Sequence, residues 1–221
     1  MPLRKLAAGF LDFRDHTFMP SRDRFARLAE RQEPKVMMIG CSDSRVDPAI
    51  LCHAEPGDVF MVRNVANLVP PCESDVSHHG TSAALEFAVT SLGVEHIIVL
   101  GHDGCGGIRA LLDSGSSAET GHASFVGNWM RIADEALRRT RIIARNRPLA
   151  EQAKICGLEA IKTSLANLLS FPWIDQKVDE GRLRLHGWYF DINDGNMYVF
   201  VPSRDAFEPL TLELATELQS S

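Results

Sequence analysis

The 221-residue sequence contains no apolar run near the ~20 residues a bilayer span requires, which excludes a helical membrane anchor of ordinary length. It has no excess of basic residues. Twenty-three Lys and Arg against 29 Asp and Glu leave a net charge of −6, which argues against nucleic acid or an anionic membrane as partner. It lacks a paired set of cysteines: Cys41, Cys52, Cys72, Cys105 and Cys156 are odd in number and scattered, unlike a disulfide framework. In a reducing compartment such cysteines are core residues, metal ligands or nucleophiles. The start "MPLRKLAAGFLDFRDHTFMP" opens like a signal peptide. Asp12, Arg14 and Asp15 soon interrupt it, and no small-residue cleavage site follows. A cytoplasmic location is expected. There is no internal repeat and no low-complexity block.

What is present is the material of an ordinary globular domain: 45% hydrophobic and 24% charged residues. Residues 3–18 read as a helix with Leu6, Phe10 and Phe13 on one face. Ser21 is placed to cap a second helix, "RDRFARLAERQ", ahead of Pro34. Residues 35–40, "GDVFMVRN" and "EHIIVLG" are short apolar runs of the kind covered on both faces of a parallel sheet. "GTSAALEFAVTSLG" is a helix ended by Gly93, and a further helix runs through Ile108 to Leu112. "SSAETGHAS" is a polar loop, and residues 124–145 and 149–170 are two longer helices parted at Pro148. "GRLRLHGWYFDI", the "NDG" turn and "MYVFV" form a closing hairpin. The expected fold is α/β: a mostly parallel sheet flanked by helices, an antiparallel C-terminal edge and an N-terminal helical arm. We expect one domain over 1–221, with an arm of residues 1–33, a core of 34–115 that carries the site, and C-terminal helices and hairpin in 116–221.

Functional sites in parallel sheets lie at the carboxyl ends of strands. Two chemically dense stretches fall there. "MMIGCSDSRVDP" ends one apolar run in Cys41, Asp43 and Arg45, and "IIVLGHDGCGG" ends another in His102 and Cys105. An H-x-x-C pair alone is a weak signal. Joined to Cys41 across neighbouring strands it offers two thiolates and an imidazole, a set that suits tetrahedral Zn²⁺. Asp43 can fill the fourth position or leave it to water, and Arg45 can hold that carboxylate in a two-pronged pair. Four protein ligands make a closed structural site, whereas three plus water make a catalytic one. Zinc with two thiolates should hold a less acidic water than the ~7 of a three-histidine site, so activity is expected to rise through roughly pH 7–9.

In order, "CSDSR", "PGDVFMVRNVANLVPP", "AALEFAV", "GHDGCGG" and "LHGWYFDI" resemble the β-class carbonic anhydrases over roughly residues 5–200, nearest to the plant and cyanate-operon branch. That resemblance implies hydration of CO₂ to bicarbonate by zinc-bound hydroxide, with one zinc per subunit on Cys41, His102 and Cys105. It implies an Asp43–Arg45 dyad in which Arg45 keeps Asp43 off the metal; in a closed form Asp43 would ligate zinc. Met38 stands where the closed branch carries Trp, so the open form is expected. The resemblance also implies Gln32 as a substrate-orienting amide, Phe60 and Val65 as apolar pocket walls, and Gly106 as a backbone donor.

Phe87 replaces the pocket Tyr of the plant branch, and Asp103 replaces the usual Ser or Ala after the zinc histidine. Asp103 is either an orienting carboxylate or a solvent-facing one. His78 and His79 are candidate proton carriers only by their titration range. Arg63 and Asn64 either line the site or serve a structural pair or turn. Cys52 and Cys156 read as core or half-buried residues, and Cys72 as a loop thiol. The family packs its N-terminal helices across a partner, so a homodimer or larger homo-oligomer is expected. A related zinc hydrolase acting on CS₂ or COS, and a non-catalytic bicarbonate-binding zinc protein, are the competing readings.

Overall fold

Val36–Cys41 (β1) and His96–His102 (β3) are apolar on both faces, and neighbours cover them on both. The computed structural model describes residues 1–73, 75, 78–114 and 124–220. Most of the expected polar loop, 116–123, lies outside the described residues.

Two compact units make up the chain, Met1–Glu33 and Pro34–Ser221. In the first, α1 (Pro2–Phe13) runs through a wider π-type turn, Arg14–Phe18, towards α2 (Arg22–Glu30). Phe25 packs on Phe18 and Phe13, with centroids 4.8 and 6.0 Å apart. Leu6, Phe10 and Phe13, the expected apolar face, are all exposed. Ser21 stands at the start of α2 but makes no side-chain capping bond. That part of the expectation fails because its backbone has not entered the extended conformation a cap requires (φ −106°, ψ 25°).

The second unit holds a six-stranded sheet in the order β2-β1-β3-β4-β5-β6. β2 is Val59–Asn64, β4 Arg184–Phe190, β5 Met197–Val201 and β6 Ala206–Pro209. The pairs β1–β2, β1–β3 and β3–β4 are parallel, and β4–β5 and β5–β6 are antiparallel. The expected hairpin is therefore present as β4–β5. The sequence reading missed the parallel pairing of β4 with β3, the sixth strand and the final helix.

The remaining helices are α3 (Pro48–Leu51), α4 (Gly80–Glu86), α5 (Gly106–Ser114), α6 (Phe125–Met130), α7 (Asp134–Ile143), α8 (Leu149–Leu168), α9 (Pro172–Asp179) and α10 (Leu212–Ser220). α4 widens into a π-type turn, Phe87–Leu92, and stops at Gly93, which adopts the left-handed conformation (φ 68°). The helix expected over 124–145 is interrupted by a 3₁₀ turn at Arg131–Ala133, so α6 and α7 are separate elements.

Residues from α4 and the π-type turn after it, and from α8 and α9 (Leu85, Ala88, Ile161, Leu168, Ile174), join Met37, Ile39, Ile97 and Val99 in the main core. Met38, Ile98 and Leu100 point to the opposite face, where Leu51 of α3 packs with them. There α10 contributes Leu214, against Val199 and Val201. α8 sits close to the strands because Gly187 leaves room for it. A Cβ there would lie 2.7 Å from Ile161 Cγ2, a distance real contacts do not reach.

Candidate metal centre

The carboxyl ends of β1 and β3 bring Cys41 and His102 together, and the turn into α5 adds Cys105. All three are buried. The two Sγ atoms lie 3.9 Å apart. Two thiolates at about 2.3 Å from one tetrahedral ion would be separated by about 3.8 Å.

His102 Nδ1 donates to the Asp103 carbonyl at 2.8 Å. That bond fixes the tautomer and leaves the Nε2 lone pair free. Nε2 is buried and has no hydrogen-bond partner. A buried polar nitrogen without a partner is costly, and a metal ion among these three side chains removes that cost.

The thiols are surrounded by amide donors. The N–H groups of Asp43 and Ala66 reach the Cys41 sulfur, and those of Gly107 and Ile108, at the start of α5, reach Cys105. The Cys105 hydrogen bond pulls the Cys41 thiol down, against burial, while sharing that proton and burial push Cys105 up. Burial opposes charge on His102, but the neighbouring Cys41 sulfur, the Asp103 carbonyl and the Asp43 carboxylate outweigh it and raise its pKa. The pocket therefore favours one negative charge and attracts a positive one. A divalent cation meets that demand and would take the second thiol as thiolate too.

Ala66 reaches its sulfur through strained backbone. Ala66 and Asn67 have φ of 62° and 49°, a region that costs non-glycine residues about 1–2 kcal/mol each. The Asn64 side chain holds this turn: Oδ1 accepts from Leu68 N–H at 2.9 Å and Nδ2 donates to Leu68 O at 2.8 Å. Trp129 Nε1 donates to Val65 O at 2.7 Å.

Asp43 and Arg45 meet in two-pronged fashion, Nε to Oδ1 at 2.9 Å and Nη2 to Oδ2 at 2.7 Å. Arg45 N–H adds a third bond to Oδ1, and Nη2 also donates to Gly104 O at 2.9 Å. The side-chain bonds from Arg45 hold the Asp43 carboxyl far below the usual carboxylate range. Its Oδ2 lies 3.8 Å from His102 Nε2. Gly104 makes this approach possible by adopting φ +64°.

Arg63, open between two roles from sequence, is structural. Its Nε donates to Cys41 O at 2.9 Å, and its Nη2 to Asp43 O at 2.8 Å and Val46 O at 2.7 Å. Nη1 pairs with Asp47 at 3.1 Å, and Asp47 caps α3. One guanidinium thus ties down the whole turn from Cys41 to Asp47. The parallel register of β2 beside β1, with Gly40 opposite Arg63, positions it to do so.

Phe60 and Phe87 pack on each other with centroids 5.9 Å apart, and Phe87 is exposed. Val65 is exposed too and lies over the first turn of α5, close to Gly107. Gly106 opens α5 with free space where a Cβ would stand. Gln32 belongs to the Met1–Glu33 unit, beyond the end of α2, and is exposed. His79 pairs with Asp75 at 2.6 Å, and His78 is exposed.

The Asp103 carboxylate does not hang in solvent. It accepts from Tyr189 OH at 3.2 Å and from Asn193 Nδ2 at 2.6 Å. Neither partner was expected in a functional role; Tyr189 reads as strand core and Asn193 as part of a turn. Cys156 is buried and Cys72 exposed, as expected. Cys52 is a correction: it is exposed, because it ends the short α3 while Leu51 turns into the core.

The family model described as carbonic anhydrase matches residues 36–197. Among curated proteins, β carbonic anhydrase 6, mitochondrial, of Arabidopsis thaliana is 42% identical over 185 residues, covering 84% of this chain and 63% of that protein. β carbonic anhydrase 5, chloroplastic, of the same plant is 43% identical over 188 residues, covering 84% and 60%. The chain thus spans less than two thirds of the length of these two relatives. Among solved structures, the β-carbonic anhydrase CcaA superposes with a TM-score of 0.88 at 31% identity, covering 95% of this chain and 100% of that one. A structure from a study of two tetrameric β-carbonic anhydrases of Sordaria macrospora has a TM-score of 0.75 at 27% identity, covering 90% and 96%. The family model, the curated relatives and the solved structures agree: the chain belongs to the β-carbonic anhydrase family.

Proposed function

We propose that the protein catalyses the reversible hydration of CO₂ to bicarbonate, using one zinc ion per subunit held by Cys41, His102 and Cys105. The observation that carries this reading is the partnerless, buried Nε2 of His102, set among two thiols and beside a carboxylate already engaged by Arg45. Bound there, zinc would supply a water made acidic enough to act as nucleophile near neutral pH.

The chain's own residues do the rest. Arg45 holds both oxygens of Asp43, so the carboxylate stays ionised and off the fourth ligand position. Asp43 is then free to accept a hydrogen bond from the attacking water and aim its lone pair at the carbon. Phe60, Val65 and Phe87 offer an apolar wall that favours unpolarised CO₂ over water. The Gly106 N–H donates to the oxygen that gains charge as the new bond forms.

The exposed Leu6, Phe10 and Phe13 support an assembly in which a second copy covers the arm. The tetrameric relatives from Sordaria macrospora support a homo-oligomer as well. No helix among the described residues is long and apolar enough to cross a membrane. A centre that needs two free thiolates supports a reducing compartment such as the cytoplasm, although the two plant relatives carry mitochondrial and chloroplastic names. Stopped-flow CO₂ hydration at pH 7 and 8.5 on zinc-assayed protein tests the proposal. Turnover should track zinc content and rise with pH; stoichiometric zinc with no turnover at either pH would overturn it.

A further inference from the structure

The turn that carries His102 into Cys105 is held at two points. Arg45 Nη2 grips the Gly104 carbonyl. On the other side, Asp103 is anchored by backbone and side chain together. Its N–H donates to Phe190 O at 2.9 Å, continuing the β3–β4 ladder by one bond. Its carbonyl accepts from His102 Nδ1. Its carboxylate accepts from Tyr189 and Asn193.

Those two donors are themselves fixed. Tyr189 is fully buried, and burial together with the Asp103 charge pushes its phenol up, so it remains a donor. Asn193 is pinned by Asp191, whose Oδ1 accepts from Asn193 N at 3.0 Å and Nδ2 at 3.2 Å. Asp191 Oδ2 accepts from Lys154 of α8 at 2.8 Å. A continuous chain of polar contacts therefore runs from α8, through the β4–β5 turn, to the peptide whose oxygen orients the imidazole.

We propose that Asp103 is a positioning residue: its carboxylate, gripped by Tyr189 and Asn193, fixes the peptide that orients His102, and so the β4–β5 turn sets how tightly the centre holds its metal. The proposal rests on the zinc reading above. The physical need is specific. Asp103 precedes Gly104, whose φ of +64° gives the following backbone no side chain to restrain it. Without an external grip the 103–104 peptide can rotate and carry its carbonyl away from Nδ1. The imidazole then loses its fixed tautomer and direction. Loss of such a supporting contact to a metal-bound histidine typically weakens binding by about 10–100-fold.

The test is zinc release from the fully loaded protein into excess 4-(2-pyridylazo)resorcinol, with urea unfolding of the metal-free protein measured in parallel. Asp103→Ala and Asn193→Ala should each release zinc about 10–100-fold faster than wild type. The urea midpoint of metal-free Asn193→Ala should be unchanged, whereas Asp103→Ala leaves the buried Tyr189 hydroxyl without its acceptor and should lower its own midpoint. The double variant should release zinc no faster than Asp103→Ala alone, because both remove one contact chain. Asn193 is exposed in a turn, so its variant will fold even if Asp103→Ala does not. Wild-type release rates in the variants, or faster release only in step with a lower midpoint, would overturn the positioning role while leaving the zinc reading intact. A wild-type protein that fails to bind stoichiometric zinc would overturn both.

Discussion

Replacing Arg45 separates the charge of the dyad from its geometry. Arg45 makes two side-chain bonds to Asp43 and one to the Gly104 carbonyl. Its side chain is 53% exposed and that of Asp43 16%. Solvent therefore screens each charged bond to roughly 1 kcal/mol, not the 1.5–3 kcal/mol of a buried one. The two bonds that reach the carboxylate hold it by about 2 kcal/mol, a factor of roughly 30 in population. Arg45→Ala should lower kcat/KM for CO₂ hydration by about 30-fold with zinc still bound. Arg45→Lys keeps the charge but offers one ammonium instead of a fork, and should lose about tenfold. The assay is stopped-flow hydration at pH 8, with zinc content measured on each sample. Wild-type kcat/KM in fully loaded Arg45→Ala would refute the reasoning. Wild-type kcat/KM in Arg45→Lys would show that geometry contributes nothing beyond charge, contrary to the fork drawn here, and losses as large as in Arg45→Ala would show that the charge contributes nothing without it.

Asp43→Asn should keep zinc and lose most activity, whereas Cys105→Ser should lose zinc and stability together; metal analysis by mass spectrometry separates the two. His186 lies against His96, with ring nitrogens 3.1 Å apart, and burial, then His96 and Arg184, hold its pKa down to about 4. The unfolded chain therefore binds a proton that the folded chain refuses between about pH 6.5 and 4, so this contribution is present above 6.5 and is lost as pH falls through that window. Urea midpoints should fall across that range, and less steeply in His186→Gln; identical slopes would remove His186 as the cause. Gly187→Ala would push a methyl into Ile161 and should destabilise by about 1–3 kcal/mol, read as a lower Tm. With zinc bound, a thiol reagent should react with Cys72, more slowly with Cys52, whose thiol burial pushes up, and leave Cys156 untouched.

The sequence was most legible where local pattern and burial coincide. β1 and β3 are unbroken apolar runs buried on both faces, and each ends in residues no strand requires for packing. The C-terminal edge was harder. β4 is only half-buried at most positions, and β6 has four residues ending in Pro209, too short for an alternating pattern to emerge. α6 and α7 looked continuous because a 3₁₀ turn leaves helical spacing almost intact. Within the centre, the ligand types and their place at strand ends were readable, since chemistry restricts which side chains bind zinc. The supports were not. Asn193 is 90 residues from Asp103, and nothing in "NDG" distinguishes a turn residue that grips another loop from one that merely turns. Arg63 was recognised as notable, but only the β1–β2 register reveals that its guanidinium spans four separate acceptors.

That arginine bears on how such a centre could be moved. Cys41, Asp43 and Arg45 travel together in a five-residue motif, which invites grafting onto another parallel sheet. The loop would arrive unbraced, because the group that braces it is supplied by the adjoining strand. A transplant would need at least two strands in the same register, with an arginine one place before the end of the outer one. The smallest portable unit is therefore a strand pair rather than a peptide, and in libraries built around such grafts the outer strand's arginine should be held constant while the surrounding residues vary.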